Sequence, residues 1–129
     1  MEDSKSAISR VLADRFEIEA LVGRGAMGEV YRARDLVLGE TVAVKVVHVE
    51  ARDAVAALAR FKQEVVLARR VTHKNVARVF DWVENDGALL LTMELVEGET
   101  LADLLARERQ VPLDRAVRIG LEICAGLAA

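Results

Sequence analysis

Gly23, Gly25 and Gly28 are spaced as G-x-G-x-x-G within VGRGAMGEV, residues 22–30. Glycines at this spacing let a backbone approach phosphate oxygens, because no Cβ stands in the way. The same spacing serves three structures: a loop over phosphates, the start of a dinucleotide-binding helix, or a plain turn between strands. Downstream, Lys45 sits among valines in TVAVKVVHV. An ammonium there is costly to bury without a partner, although a lysine on an outward face would simply be solvated. Glu64 offers a carboxylate as that partner, or else lies on the rim of a solvated helix face. Together these residues could position an anionic ligand.

The elements that must hold them narrow the choice. After the glycines comes EVYRARD, in which Val30, Arg32 and Arg34 alternate with Tyr31, Ala33 and Asp35. That is strand periodicity, whereas a dinucleotide fingerprint needs a helix to open at the glycines. A Walker A loop is excluded too, since Glu29 rather than Lys-Ser/Thr follows Gly28. Before the glycines, FEIEALV also alternates at its start, so the glycines tip a β-hairpin. A turn at Leu38-Gly39-Glu40 leads into the run 41–49, where Thr41, Val42, Val44, Val46, Val47 and Val49 are β-branched. Residues 53–71 lack glycine and proline and predict a helix. Its stripe is Val55, Leu58, Phe61, Val65 and Ala68, with Glu64 at the border.

Composition excludes several classes. The 129 residues suit one domain or part of a larger one, and 53% hydrophobic with 30% charged residues suits a globular chain with a core. A net charge of −3 gives no reason to expect nucleic acid or an anionic membrane. Cys124, the only cysteine, cannot form an internal disulfide and fits a reducing, cytoplasmic compartment. His48 and His73 have no ligand-spaced companions, so no metal site is expected. The start MEDSKSAISRVLADR is not a signal peptide, and no apolar run approaches the ~20 residues of a membrane span.

The glycine hairpin, Val42-Ala43-Val44-Lys45 and the helix carrying Glu64 resemble, in this order, the N-terminal lobe of a eukaryotic-type protein kinase of the bacterial serine/threonine type. THKNVARVFDWVE is similar to the family's helix-to-strand connection and fourth strand. ALLLTMELVEGETLADLL is similar to the fifth strand, hinge and a short helix, and VPLDRAVRIGLEICAGLAA to the first long C-lobe helix. The resemblance spans residues 14–129. It implies an α+β fold: a five-stranded antiparallel sheet over about residues 16–95, one large helix, a hinge, and the first helices of a helical lobe. The implied division is an extension 1–13, an N-lobe 14–96 and the start of a C-lobe 97–129.

The resemblance also implies roles. Val22, Gly23, Arg24, Gly25, Ala26, Met27, Gly28 and Val30 would cover the ATP triphosphate. Lys45 would contact its α- and β-phosphates, and Glu64 would orient Lys45. Val22, Val30 and Ala43 would roof the adenine slot, with Met93 as gatekeeper and Leu101 near the mouth. Glu94 would offer a carbonyl and Val96 an N–H to the adenine edge, while Thr100 and Asp103 are alternatives for the ribose. Lys74 departs from the family's usual proline, Leu95 from its common aromatic, and Ala68 is small for its place.

The His-Arg-Asp and Asp-Phe-Gly motifs, which would supply the acceptor-positioning carboxylate and Mg²⁺ ligands, are absent from these residues. The expectation is therefore the ATP-binding portion of a serine/threonine kinase acting on an unspecified protein, with a non-catalytic nucleotide- or partner-binding module as the alternative. The closing stripe Leu113, Val117, Gly120, Leu121, Cys124 and Leu127 would lie bare in residues 1–129 alone, so that the helix would fray or bury itself against another copy of the chain.

Overall fold

β-Branched residues supply the centre of the sheet. In the computed structural model, which describes residues 10–25, 28–48 and 54–129, the valine-rich run forms β4 (Glu40–His48). It is flanked by β3 (Gly28–Asp35) and β6 (Ala88–Met93). β2 (Phe16–Gly25) and β5 (Val79–Asn85) lie outside these, and β1 (Val11–Leu12) edges β2. The order is β1-β2-β3-β4-β6-β5, antiparallel throughout. The period-2 alternation of β4 divides its side chains. Val42, Val44 and Val46 join Leu12, Phe16, Ile18, Ala33 and Leu90 in one buried cluster. Ala43, Lys45 and Val47 therefore take the opposite face.

The sheet has six strands among the described residues, not five, and the additional one falls inside the expected 1–13 extension. A two-residue strand has no periodicity to read. It is held by the Ile18 N–H donating to the Arg10 carbonyl at 2.9 Å, and by a tight turn in which Ala13 and Asp14 adopt positive φ. Ala26, Met27, the expected strand end at Val49 and the helix start at Asp53 lie outside the described residues.

α1 (Ala54–Ala68) makes its closest backbone approach to β5, the far edge of the sheet. Val65 is buried, Leu58, Phe61 and Ala68 are half-buried, and the Lys62 ammonium sits 4.9 Å above the Trp82 ring of β5. Val55, which opens the expected stripe, is exposed, because the contact centres on Val65. α2 (Leu101–Glu108) starts at Thr100, whose hydroxyl accepts the Asp103 N–H at 3.0 Å. α3 (Leu113–Leu127) rests on the turn after α1. Asn75 Nδ2 donates to the Glu122 carbonyl at 3.0 Å, and a Cβ on Gly126 would come within 3.2 Å of the Asn75 carbonyl oxygen. Leu113, Val117, Leu121, Cys124 and Leu127 are exposed, as expected. No helix of the described residues is long and apolar enough to cross a membrane.

One buried charge organises the hairpin ends. Asp35 is only 3% exposed. Its carboxylate accepts from Arg15 Nε at 2.9 Å and Nη2 at 2.8 Å, and from the Val37 and Leu38 N–H groups at 3.0 and 3.2 Å. The Arg15 hydrogen bonds hold its pKa below the ordinary 3.8; desolvation opposes this, and the two backbone donors reinforce it. Asp35→Ala strands these donors and should cost about 2–3 kcal/mol in urea unfolding. A folded pKa below the unfolded one means the stabilisation is complete above pH 3.8. It fades as pH falls through the folded value. The gap between wild type and Asp35→Ala should therefore narrow in acid.

Candidate functional site

The hairpin and β4 bring the glycines and Lys45 to one face. In register, Val30 stands opposite Lys45, Arg32 opposite Ala43, and Ala43 opposite Met93. Directly opposed residues in antiparallel strands share a face, so Val30, Ala43, Lys45 and Met93 form one surface away from the core cluster. Ala43 is buried, whereas Val30, Lys45 and Met93 are half-buried. Val22 is exposed and lies at a register shift between Leu21 and Gly23. Such a bulge re-aims a side chain beside a site.

The three glycines have different surroundings. A Cβ on Gly23 would meet nothing within 4 Å, and one on Gly25 only the Gly28 carbonyl oxygen at 4.0 Å. The hairpin between them is open on its outer side, with Arg24 exposed. Gly28 instead has φ +146°, and its Cβ would fall 1.8 Å from the Val46 carbonyl oxygen. Its lack of a side chain lets β3 cross β4 closely.

The hinge follows β6. The Glu94 N–H donates to the Arg78 carbonyl at 2.7 Å, and the Glu94 carboxylate accepts the Arg78 N–H at 3.0 Å. Neither the Glu94 carbonyl nor the Val96 N–H is taken up by a hydrogen bond to another described residue. Val96 and Leu101 are exposed apolar residues beyond the hinge. The Thr100 hydroxyl is engaged as a helix cap, which weakens its candidacy for a ribose contact.

Glu64 is exposed, and the ion pairs of the described residues do not join it to Lys45. The reason is where α1 sits: it leans on β5, two strands away from β4. Among the described residues no group of His, Cys, Asp and Glu could hold a metal ion. A cavity of about 320 Å³ opens on the other face of the sheet, over Leu12, Ile18, Val46 and Leu90. Its floor is the core, so it is not the surface that carries Lys45.

Two contributors were not legible in the sequence. Arg32 reaches Glu97, 65 residues away, at 2.8 Å, and Glu19 at 3.1 Å. Asp35 looked like one more residue of an alternating strand. No local pattern signals either role, since each depends on a partner brought by the fold.

A curled antiparallel sheet with a glycine hairpin over a lysine-bearing strand, one crossing helix and a hinge is the architecture of a kinase-type lobe. The protein kinase domain family matches residues 16–129, and the chain belongs to it. Its relatives include bacterial serine/threonine-protein kinases. It is 35% identical to pkn3 of Myxococcus xanthus over 127 residues, covering 98% of this chain and 23% of that protein. It is 39% identical to pkn2 of the same organism, covering 94% of this chain and 14% of that protein. The Mycobacterium tuberculosis PknI kinase domain, as a C20A mutant, superposes with a TM-score of 0.81 at 25% identity, covering 95% of this chain and 50% of the other. The chain thus spans less than a quarter of those two relatives and half of the solved domain.

Proposed function

We propose that this chain is the nucleotide-binding portion of a serine/threonine protein kinase, holding ATP for transfer of its γ-phosphoryl group to a protein hydroxyl. The observation that carries this reading is the shared face of Val30, Ala43, Lys45 and Met93 beneath a glycine hairpin. The residues fit the ligand: a cation on the face of the glycine hairpin, an apolar strip, and a hinge N–H and carbonyl without a hydrogen-bond partner among the described residues. ATP supplies the activated phosphoryl group. Lys45 would hold the α- and β-phosphates, with Gly23, Arg24, Gly25, Ala26, Met27 and Gly28 contributing the covering loop. Val22, Val30, Ala43 and Leu101 would sandwich the adenine, and Glu94 and Val96 would read its edge. Glu64 would meet Lys45 when α1 swings toward β4. The described residues offer no Mg²⁺ ligand set, so no metal-dependent step is assigned to them.

Ala43→Phe tests the slot without touching any charge. The larger ring should fill the strip and weaken binding of a fluorescent ATP analogue at least about tenfold. Unchanged affinity would place the adenine elsewhere. The separation of Glu64 from Lys45 favours one second reading, a non-catalytic nucleotide- or partner-binding module. Radiolabelled phosphate transfer by the full-length protein decides between them. The bare α3 stripe supports self-association of a polypeptide limited to residues 1–129, which light scattering would detect as a mass above the monomer.

A further inference from the structure

We infer that Arg32 is a positioning residue that sets the width of the nucleotide slot by bracing the sheet against the hinge. The inference rests on the nucleotide reading above and adds a residue to it. Arg32 stands directly opposite Ala43, on the face that carries Lys45 and Met93. Its guanidinium is forked between two carboxylates. Nη1 donates to Glu97 at 2.8 Å and Nε to Glu19 at 3.1 Å. Both partners help hold its pKa above the ordinary value, Glu97 first.

The origins of the two carboxylates give the contact its meaning. Glu19 lies at a register shift in β2, between Ile18 and Ala20. The bulge places it beside Ala20, which is the residue paired with Arg32. Glu97 belongs to the segment between β6 and α2, which is the covalent link from the sheet to α2 and α3. The Arg32–Glu97 pair is therefore a second, non-covalent link across the same opening. If the helices rotate about the hinge, the roof at Ala43, which is paired with Met93, and Leu101 at the start of α2 separate. That motion must stretch the pair. Glu19 holds the guanidinium at the sheet side, so the restraint acts on the hinge rather than on the arginine.

The pair is exposed, so its effect should be modest and sensitive to salt. Breaking it should speed nucleotide release about two- to fivefold at low ionic strength. The difference should vanish at high ionic strength, where the pair is screened. Stopped-flow release of a fluorescent ATP analogue from the full-length protein reads this directly. Glu19→Gln provides the background, so that a reversed charge at position 32 does not face a second carboxylate. In it, Arg32→Glu and Glu97→Arg should each accelerate release, and the double reversal should return it to the background rate. A structural lesion would not be rescued by reversal.

Single reversals with unchanged release at low salt would overturn the brace. So would a double reversal no slower than the singles. If Ala43→Phe abolishes binding while the reversals do nothing, the brace alone fails. If the wild-type protein binds no nucleotide, both the brace and the nucleotide reading fail.

Discussion

Lys45→Met in the full-length protein should lower phosphoryl transfer on the order of 10²–10³-fold in kcat while leaving the fold in place. Lys45 is half-buried in the central strand, with buried Val44 and Val46 as its neighbours on the other face. Methionine keeps an unbranched apolar stem and removes the ammonium. Denaturation midpoints should therefore match wild type within about 0.5 kcal/mol, because no ion pair of the described residues depends on Lys45. Glu64→Gln should act in the same direction but less strongly, since it loosens the lysine without deleting it. Steady-state transfer of radiolabelled phosphate measures both. A Lys45→Met protein that turns over near the wild-type rate would remove the residue from the site.

Gly28→Ala should damage the fold, whereas Gly23→Ala should not. At φ +146° any side chain is strained, which costs about 1–3 kcal/mol. The added methyl would also overlap the Val46 carbonyl oxygen, and no rotamer relieves an overlap between Cβ and backbone. The strands would have to part where Gly28 faces Val47 and Glu29 faces Val46. This is where β4 must stay straight to hold Lys45. Gly23 has open space around it, so its alanine variant should unfold within about 0.5 kcal/mol of wild type. Urea titration of the two variants side by side is the measurement. Equal stability would mean that β3 and β4 do not cross as described.

What could be read in the sequence was set by period. β4 announced itself through its valines, and the alternation of Val30, Arg32 and Arg34 put a strand after the glycines. The α1 stripe was right from Leu58 onward, and the apolar face of α3 is as bare as its spacing implied. The strand Val11–Leu12 was missed because two residues carry no period, and its turn depends on positive φ at Ala13 and Asp14. The glycine spacing pointed to one role for all three residues. The structure divides them between open space at Gly23 and Gly25 and a strand crossing at Gly28. The distance between Lys45 and Glu64 was also beyond the sequence. Spacing says which residues border a helix face, but not which strand the helix leans on.

The seat of α1 has an optical consequence. Trp82 is the only tryptophan in the 129 residues, and it lies on β5 under Lys62 of α1. Half-buried there, its indole emits from the joint between helix and sheet and from nowhere else in the chain. Movement of α1 toward β4 would take the ammonium off the ring and wet it, shifting emission to the red. The native fluorescence of this sequence is thus a label for helix position, installed on the face of the sheet that carries Lys45, since Trp82 pairs with Leu91 and Leu91 with Lys45.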